Sequence, residues 1–394
     1  MPNIHRMMMA ASSGSLYDPA LYGTGYKLFS WGRNHKGQLG LGNTTDISSP
    51  VQIGPLDAWK DISGGFYSFS AIRSDGTLWV WGNNDNGQLG LGTKTDVCVP
   101  TQVGTLTDWR KVYIGEYQSM GFKTDGTFWT WGSGSDGGLG RGSKTSTCSP
   151  IQIGSLTDWS SSTWANGWIG QHMMGVIKPN GTLWTWGAGD HGGTGHDDTD
   201  HRCSPTQVGS STDWFRGHAS NGRASVLIDT SGDMWACGQN NGPIPGGRLG
   251  FNNNIAYSTL TQTGNSTDDW KNDHIDDLIN PGESAFGGCI YWVKDDGSLW
   301  ATGFGHSGRL GTGSTSDVGS FTQIGALTTW KRTANNYASG GATTTSNKLF
   351  LWGNGDYGEM GDGGTSDRSS PVQLGALDWQ AVTGCREAFL GLQG

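Results

Sequence analysis

An all-β, seven-bladed β-propeller closed by strands from both termini is the fold this sequence predicts, and three observations predict it. A phrase of about 50 residues returns seven times along the chain. The clear copies carry a two-residue turn between β-rich runs, and each end of the chain holds half a copy. A Gly-punctuated repeat of this length marks a radial array, whose units bury a continuous core only by stacking on their neighbours.

The anchors of the phrase align residue by residue. One tryptophan recurs at Trp59, Trp109, Trp159, Trp214, Trp270, Trp330 and Trp379. A Gln two residues before a Gly recurs at Gln52, Gln102, Gln152, Gln207, Gln262, Gln323 and Gln373. A Trp-Gly pair stands at Trp31, Trp81, Trp131, Trp186 and Trp352, and is replaced by Cys237-Gly238 and Thr302-Gly303.

In the copy that starts at Pro50, Phe69 to Arg73 and Thr77 to Trp81 are predicted strands flanking Asp75-Gly76. Asp-Gly between such runs signals a hairpin, because Gly takes a positive φ without steric cost. The turn recurs at Asp125-Gly126, Asn180-Gly181, Ser231-Gly232 and Asp296-Gly297. Trp59 to Ile62 supplies a third strand and Val51 to Ile53 a fourth, one blade per repeat. The repeated tryptophans are core filler between thin sheets. Burying one removes ~150–250 Å² from water, a gross gain of roughly 4–6 kcal/mol. Trp379 to Leu392 carries the first half of a repeat and Lys27 to Gly32 the missing half. Joined, they complete the seventh blade and leave no open sheet edge.

The propeller is expected over residues 25–394. Residues 1–24 have no counterpart in any repeat and form an N-terminal extension. Its Met7, Met8, Met9, Leu16, Tyr17 and Tyr22 are adaptable anchors, and it is read as a docking tail that orders on assembly.

Composition narrows the function classes. Gly is 68 of 394 residues without a Gly-X-Y period, which excludes collagen. The net charge is -9 with no Lys/Arg run, so nucleic acid is not an expected partner. No apolar run approaches the ~18 residues of a membrane span. The apolar stretch near Met7 is shorter than a signal-peptide core of ~7–15 residues, so synthesis in the cytoplasm is expected. Cys98, Cys148 and Cys203 share one repeat position on different blades, beyond the ~7 Å Cα reach of a disulfide, and free thiols are expected.

Binding sites on repeat proteins tend to lie where one copy departs from the others. Trp164 and Trp168 fall in an insertion after Trp159 and lie outside the aligned tryptophan positions. They are read as a loop platform for a protein or a glycan, against the alternative of local packing. Thirty residues separate Trp270 from Trp300 where twenty separate Trp59 from Trp79. The insertion carries Asp273, His274, Asp276 and Asp277, read as a partner-contacting loop; no Ca²⁺ ligand spacing accompanies them. His191, His196 and His201 lie among aspartates in a loop whose counterpart has no His, and are read as solvated. No phosphate loop, nucleophile elbow or His-Glu-x-x-His helix occurs. Neither catalysis, a cofactor nor a metal is expected.

The phrase resembles the repeat of the regulator of chromosome condensation family, a seven-bladed propeller whose repeats straddle adjacent blades. The matching elements are Asp75-Gly76, Trp81-Gly82 and Gly87-Gln88-Leu89-Gly90 followed by Gly92, and the likeness covers residues 26–392. The family's His before the hairpin turn is replaced here by Tyr67 or Ser68, by Gln118 or Ser119, and by a displaced His172. The family spans nucleotide-exchange factors, ubiquitin-ligase modules and many bacterial and bacteriophage proteins, and these copies look most like the bacterial and phage versions. The resemblance therefore implies a structural or binding propeller. The reading drawn from it is a bacteriophage virion component, on a tail or capsid, presenting loops to other particle proteins or to a host-surface glycan or protein. The alternatives are a cytoplasmic regulatory propeller, such as an exchange factor for a small GTPase, and a glycan-active enzyme.

Overall fold

The computed structural model describes residues 25–55, 58–161, 165–220, 222–241, 247–263, 270, 284–285 and 288–394. Seven antiparallel sheets follow one another around an axis. In blades 2, 3, 4, 5 and 7 the strand nearest the axis comes first in the chain and the outermost strand last, and adjacent inner strands pack against one another across the seams of blades 1 to 5 and of blades 7 and 1.

Blade 1 is the closing blade: Ile47–Gln52, Lys27–Gly32, Ala388–Gln393 and Trp379–Cys385, from the rim inward. Lys27 pairs with Gln393, and the ladder runs in register to Gly32 opposite Ala388. Both termini therefore share one sheet. Blade 2 runs outward through Trp59–Gly64, Ser68–Arg73, Leu78–Gly82 and Val97–Gln102. Blades 3, 4, 5 and 7 repeat the plan from inner strands Trp109–Ile114, Asn166–Ile169, Trp214–Ser220 and Trp330–Asn335. Blade 6 departs from it. Its described strands are Cys289–Val293, Leu299–Gly303 and Val318–Gln323, while Ser284–Ala285 runs parallel to the inner strand of blade 5.

One expectation is corrected. The strand at Val51 does not join the blade of Trp59; Gln52 pairs with Phe29 in blade 1, and Val97–Gln102 completes blade 2. After Gln52 the chain turns through Gly54 at φ +64° and crosses from the rim of one sheet to the axis of the next. Each sequence repeat thus straddles two blades. The crossing also places Pro50, Pro100, Pro150, Pro205 and Pro371 on outermost strands, where a missing N–H leaves no ladder bond unmade.

The Gly-Gln-Leu-Gly phrase is an inter-blade latch. It lies in the loop between the third and fourth strands and reaches over the following blade. The indole N–H of Trp81 donates to the carbonyl of Gln38 at 2.8 Å, Trp131 to Gln88 at 2.8 Å, and Trp186 to Gly138 at 2.9 Å. Gly92 N–H then donates to Cys148 of the next outer strand at 2.7 Å. The glycines are required by this approach. Gly87 sits at φ +77° with a Cβ-position only 2.7 Å from the Cys148 sulfur, and Gly90 at φ +72° lies against the Trp131 indole. Cys98, Cys148 and Cys203 are half-buried and unbridged in this arrangement.

A second device fixes the opposite corner of four blades. Lys123 Nζ lies 5.2 Å from the ring centre of Trp109 and 4.2 Å from that of Trp129, and pairs with Asp108 at 3.3 Å. Lys178 repeats this between Trp159 and Trp184, Lys294 between Trp270 and Trp300, and Arg73 beside Trp59 and Trp79. In each the cationic head is attracted to indole faces while its stem covers apolar surface.

Candidate binding face

Antiparallel blades put two sets of connections on each face of the ring. One face carries the Asp-Gly hairpins and the crossings through Gly54, Gly104 and Gly154. The other carries the tight turns between first and second strands together with the latch loops. The two faces differ in chemistry.

On the latch face, the turns read Phe66-Tyr67, Glu116-Tyr117, Gln171-His172, Gly222-Arg223, Tyr337-Ala338 and Arg386-Glu387. Main-chain bonds tie neighbouring turns into an arc: Tyr337 N–H donates to Arg386 O at 3.0 Å, and Arg386 N–H to Phe66 O at 2.7 Å. The Arg386 guanidinium sits 4.5 Å from the ring centre of Phe66, 4.9 Å from Tyr337 and 5.3 Å from Tyr67. Arg33 lies 4.3 Å from the Tyr357 ring and pairs with Glu387. His35 meets Tyr67 edge-on, with ring centres 4.4 Å apart. Tyr117 and His172 stack 4.7 Å apart and within 4° of parallel. Arg223 closes the arc, donating from Nε to Gln171 Oε1 at 3.1 Å and meeting His191 Nε2 at 2.6 Å.

The electrostatics suit recognition more than acid–base work. Burial, and then the hydrogen bond with Glu116, push the Tyr117 phenol up to about 12, so it stays a donor. Burial also raises Glu116 and lowers His35 and His172, which keeps the stacked imidazole neutral near pH 7. Most of these side chains are half-buried, held by neighbours but open on one side, and Tyr337 is 36% exposed.

Of the residues singled out from sequence, Trp168 is described and is corrected. It is 2% exposed, on the inner strand of blade 4, and offers no face to a ligand. Its indole lies between Gly175 of its own blade and Gly217 of blade 5, both lacking the side chain that would block it. Its Nε1 donates to Ser225 Oγ at 3.2 Å, and that hydroxyl donates to Gly193 O at 2.9 Å. Gly193 O is the latch carbonyl that a tryptophan at position 237 would take. With Cys237 there instead, only a long 3.5 Å thiol contact reaches it directly. Trp168 fills the seam from the other side.

Trp164, Asp273, His274, Asp276 and Asp277 lie outside the described residues, as do Met7, Met8, Met9, Leu16, Tyr17 and Tyr22 of the expected docking tail. In the His-rich loop, His196 Nε2 bonds Thr185 Oγ1 at 3.0 Å and His201 Nδ1 accepts from Gly189 N–H at 3.1 Å. Among the described residues no three His, Cys, Asp or Glu side chains converge as a metal site requires. No helix among them is long and apolar enough to cross a membrane. The latch-face turns were missed by sequence reasoning, although one signal was available: the slot that holds Tyr67, Tyr117, His172 and Arg223 varies among bulky polar residues while its surroundings repeat.

Comparison with known proteins bears on the fold. Residues 27–72, 75–121, 125–163 and 180–219 match the Regulator of chromosome condensation (RCC1) repeat, and a second model of that description matches residues 59–88. No curated protein matches the chain by sequence. Among solved structures, human WBSCR16 is 17% identical with a TM-score of 0.78, over 93% of this chain and 98% of its own. Prp20p from Saccharomyces cerevisiae is 14% identical with a TM-score of 0.76, over 97% and 96%. The yeast RCC1 (Prp20) bound to Kap60 is 14% identical with a TM-score of 0.74, over 94% and 89%. The first half of the chain thus matches the RCC1 repeat, and the whole chain shares the seven-bladed fold of these proteins.

Proposed function

We propose that this chain is a non-catalytic, protein-binding propeller of the regulator of chromosome condensation type, and that it engages a folded partner with its latch face. One observation carries the reading: the arc from Arg33 and Tyr67 through Arg386 and Tyr337 is a continuous, prepaid set of aromatic and arginine side chains. Tyr and Arg dominate binding hot spots because they bring large contact area and directed hydrogen bonds at low ordering cost. Rings and guanidinium already stacked on one another lose little further freedom on binding.

The structural relatives favour a regulatory role over the particle component that the sequence suggests. Prp20p is described by its binding to Gsp1p and histones, and the yeast RCC1 (Prp20) by its complex with Kap60. An exchange factor for a small GTPase is one instance of the regulatory reading.

Immobilised protein should capture a defined partner from a lysate of its source. Tyr337→Ala and Arg386→Ala should each weaken capture at least tenfold, and Val372→Ala on an outer strand should not. Equal capture by all forms would refute the assignment of the face. Capture of a small GTPase with faster nucleotide release would select exchange; recovery of coat or tail proteins would restore the particle reading.

A further inference from the structure

Along the outer seam between blades 1 and 2, from the end of the latch loop to the crossing at Gly54, lies a cleft of about 460 Å³, within the range of small-ligand sites. Its walls include Leu41 and Pro100, and its polar groups come from Gln52, Trp59, Arg73 and Trp79. Trp59 is 3% exposed, yet its indole N–H has no hydrogen-bond partner among the described residues. Equivalent tryptophans share that orphan N–H, so it does not single out this seam. Arg73 does.

In blades 3 and 4 the same position is Lys123 and Lys178, each neutralised by the acid that precedes the repeat tryptophan: Asp108 at 3.3 Å and Asp158 at 2.9 Å. In blade 2 the residue before Trp59 is Ala58. Arg73 forms no ion pair among the described residues, and its Nε has no hydrogen-bond partner. Asp75, two residues further on, is engaged by the N–H and hydroxyl of Thr77 at 3.0 and 2.6 Å, although it feels the Arg73 charge. The guanidinium stands 5.6 Å from the ring centre of Trp79 and 5.9 Å from that of Trp59, looser than the 4.2 Å of Lys123 on Trp129. Among the described residues, the cleft thus holds a cation with no acid partner beside a half-buried indole.

We propose that this cleft binds a carboxylated sugar unit of the uronate class. A planar guanidinium matches a carboxylate in a two-pronged bond that a lysine cannot reproduce. The half-buried Trp79 indole gives the C–H face of a pyranose ring a surface to lie on. Gln52, whose amide N–H is held by Gly54 O at 3.0 Å, presents its own carbonyl to a sugar hydroxyl. The site lies along the outer seam, shares no residue with the arc of Tyr67, Tyr337 and Arg386, and does not depend on the protein partner proposed above.

The test is titration of the full-length protein with trigalacturonate, followed by calorimetry and by the indole ¹H–¹⁵N resonances. Trigalacturonate should bind and should shift the resonances of Trp59 and Trp79; maltotriose, which is uncharged, should bind at least tenfold more weakly. Arg73→Gln should lower trigalacturonate affinity at least tenfold while leaving the melting temperature within a few degrees. Absence of binding, equal binding of maltotriose, or shifts confined to other tryptophans would each overturn the proposal. Because the resonance map uses the wild-type protein, it decides the matter even where Arg73→Gln fails to fold.

Discussion

The indole N–H of Trp31 donates to the main-chain carbonyl of Glu359 at 2.8 Å, joining residues 328 positions apart in the chain. It is the same latch that joins Trp81 to Gln38 and Trp131 to Gln88, made here between the last full blade and the blade shared by the termini. Phe389 stacks on Trp31 with ring centres 5.7 Å apart, and Trp379 meets it tilted at 5.3 Å. Closure therefore rests on a ladder, a latch and an aromatic cluster together.

Truncation after Arg386 removes the Ala388–Gln393 strand and uncovers Leu28 and Trp31, both 0% exposed in the ring. The truncated protein should aggregate or melt at least about 10 °C lower, since two sheet edges and an apolar seam are opened. Light scattering and calorimetry read this directly. A monomeric truncation with an unchanged melting temperature would contradict the shared blade.

Trp168→Ala should destabilise by about 3–5 kcal/mol, the cost of emptying a packed tryptophan site. Trp168→Phe should cost less, losing the bond to Ser225 but keeping part of the volume. Urea unfolding distinguishes the two. Equal and negligible losses would return Trp168 to the loop-platform role.

Glu359 occupies the position of Gln38 and Gln88. One oxygen repeats the glutamine's contact, accepting from Tyr357 N–H at 2.9 Å as Gln88 accepts from Asn86 N–H at 2.9 Å. The other stands where Gln88 places the NH₂ that donates to Asn83 Oδ1 and Glu116 O, and it is buried with no partner among the described residues. Burial, with a smaller push from the nearby Glu387 and Asp356, raises its pKa to about 8 despite main-chain hydrogen bonds. The folded state thus holds a proton that the unfolded state releases near pH 4.5. This contribution to stability is complete below about pH 4.5 and is lost as pH rises to about 8, on the order of 2–4 kcal/mol. Glu359→Gln should raise the melting temperature at pH 8 and flatten its pH dependence between 5 and 8. An unchanged profile would show that the carboxyl is solvated.

Lys111 Nζ meets Asp61 Oδ1 at 2.7 Å across the seam of blades 2 and 3, with both side chains 2% exposed. Burial raises the Asp61 pKa and lowers that of Lys111, and their mutual attraction opposes both shifts. Lys111→Met should cost about 3–5 kcal/mol by leaving a buried carboxylate unpaired. Adding Asp61→Leu should recover most of it. A double variant no more stable than Lys111→Met would show that packing, not charge, decides this seam.

Much of the fold was legible because its signals are local and repeated. Asp75-Gly76 specifies a hairpin wherever it stands, and the half-repeats at Lys27 and Trp379 can only be completed by each other. The membership of Ile47–Gln52 was not legible, since the phrase gives the period of the repeat but not where a sheet begins within it. Trp168 misled for a related reason. It stands outside the repeat register, and only the structure shows that Cys237 left room for it across a seam. The latch face was hidden because its side chains come from turns far apart in sequence, as Phe66, Tyr337 and Arg386 do.

The substitutions of the latch tryptophan at Cys237 and Thr302 fall on consecutive blades. Cys237 keeps only a weak sulfur contact with the preceding loop, and Thr302 turns its hydroxyl to Val318 O within its own sheet. The ring is therefore a fastened belt with its two slackest links side by side. Slow amide exchange should persist in blades 2 and 3, and the first cooperative opening should begin at blades 5 and 6, well away from the junction of the chain ends. A protease or a force acting on the intact molecule would then enter opposite the place where the circle was sewn shut.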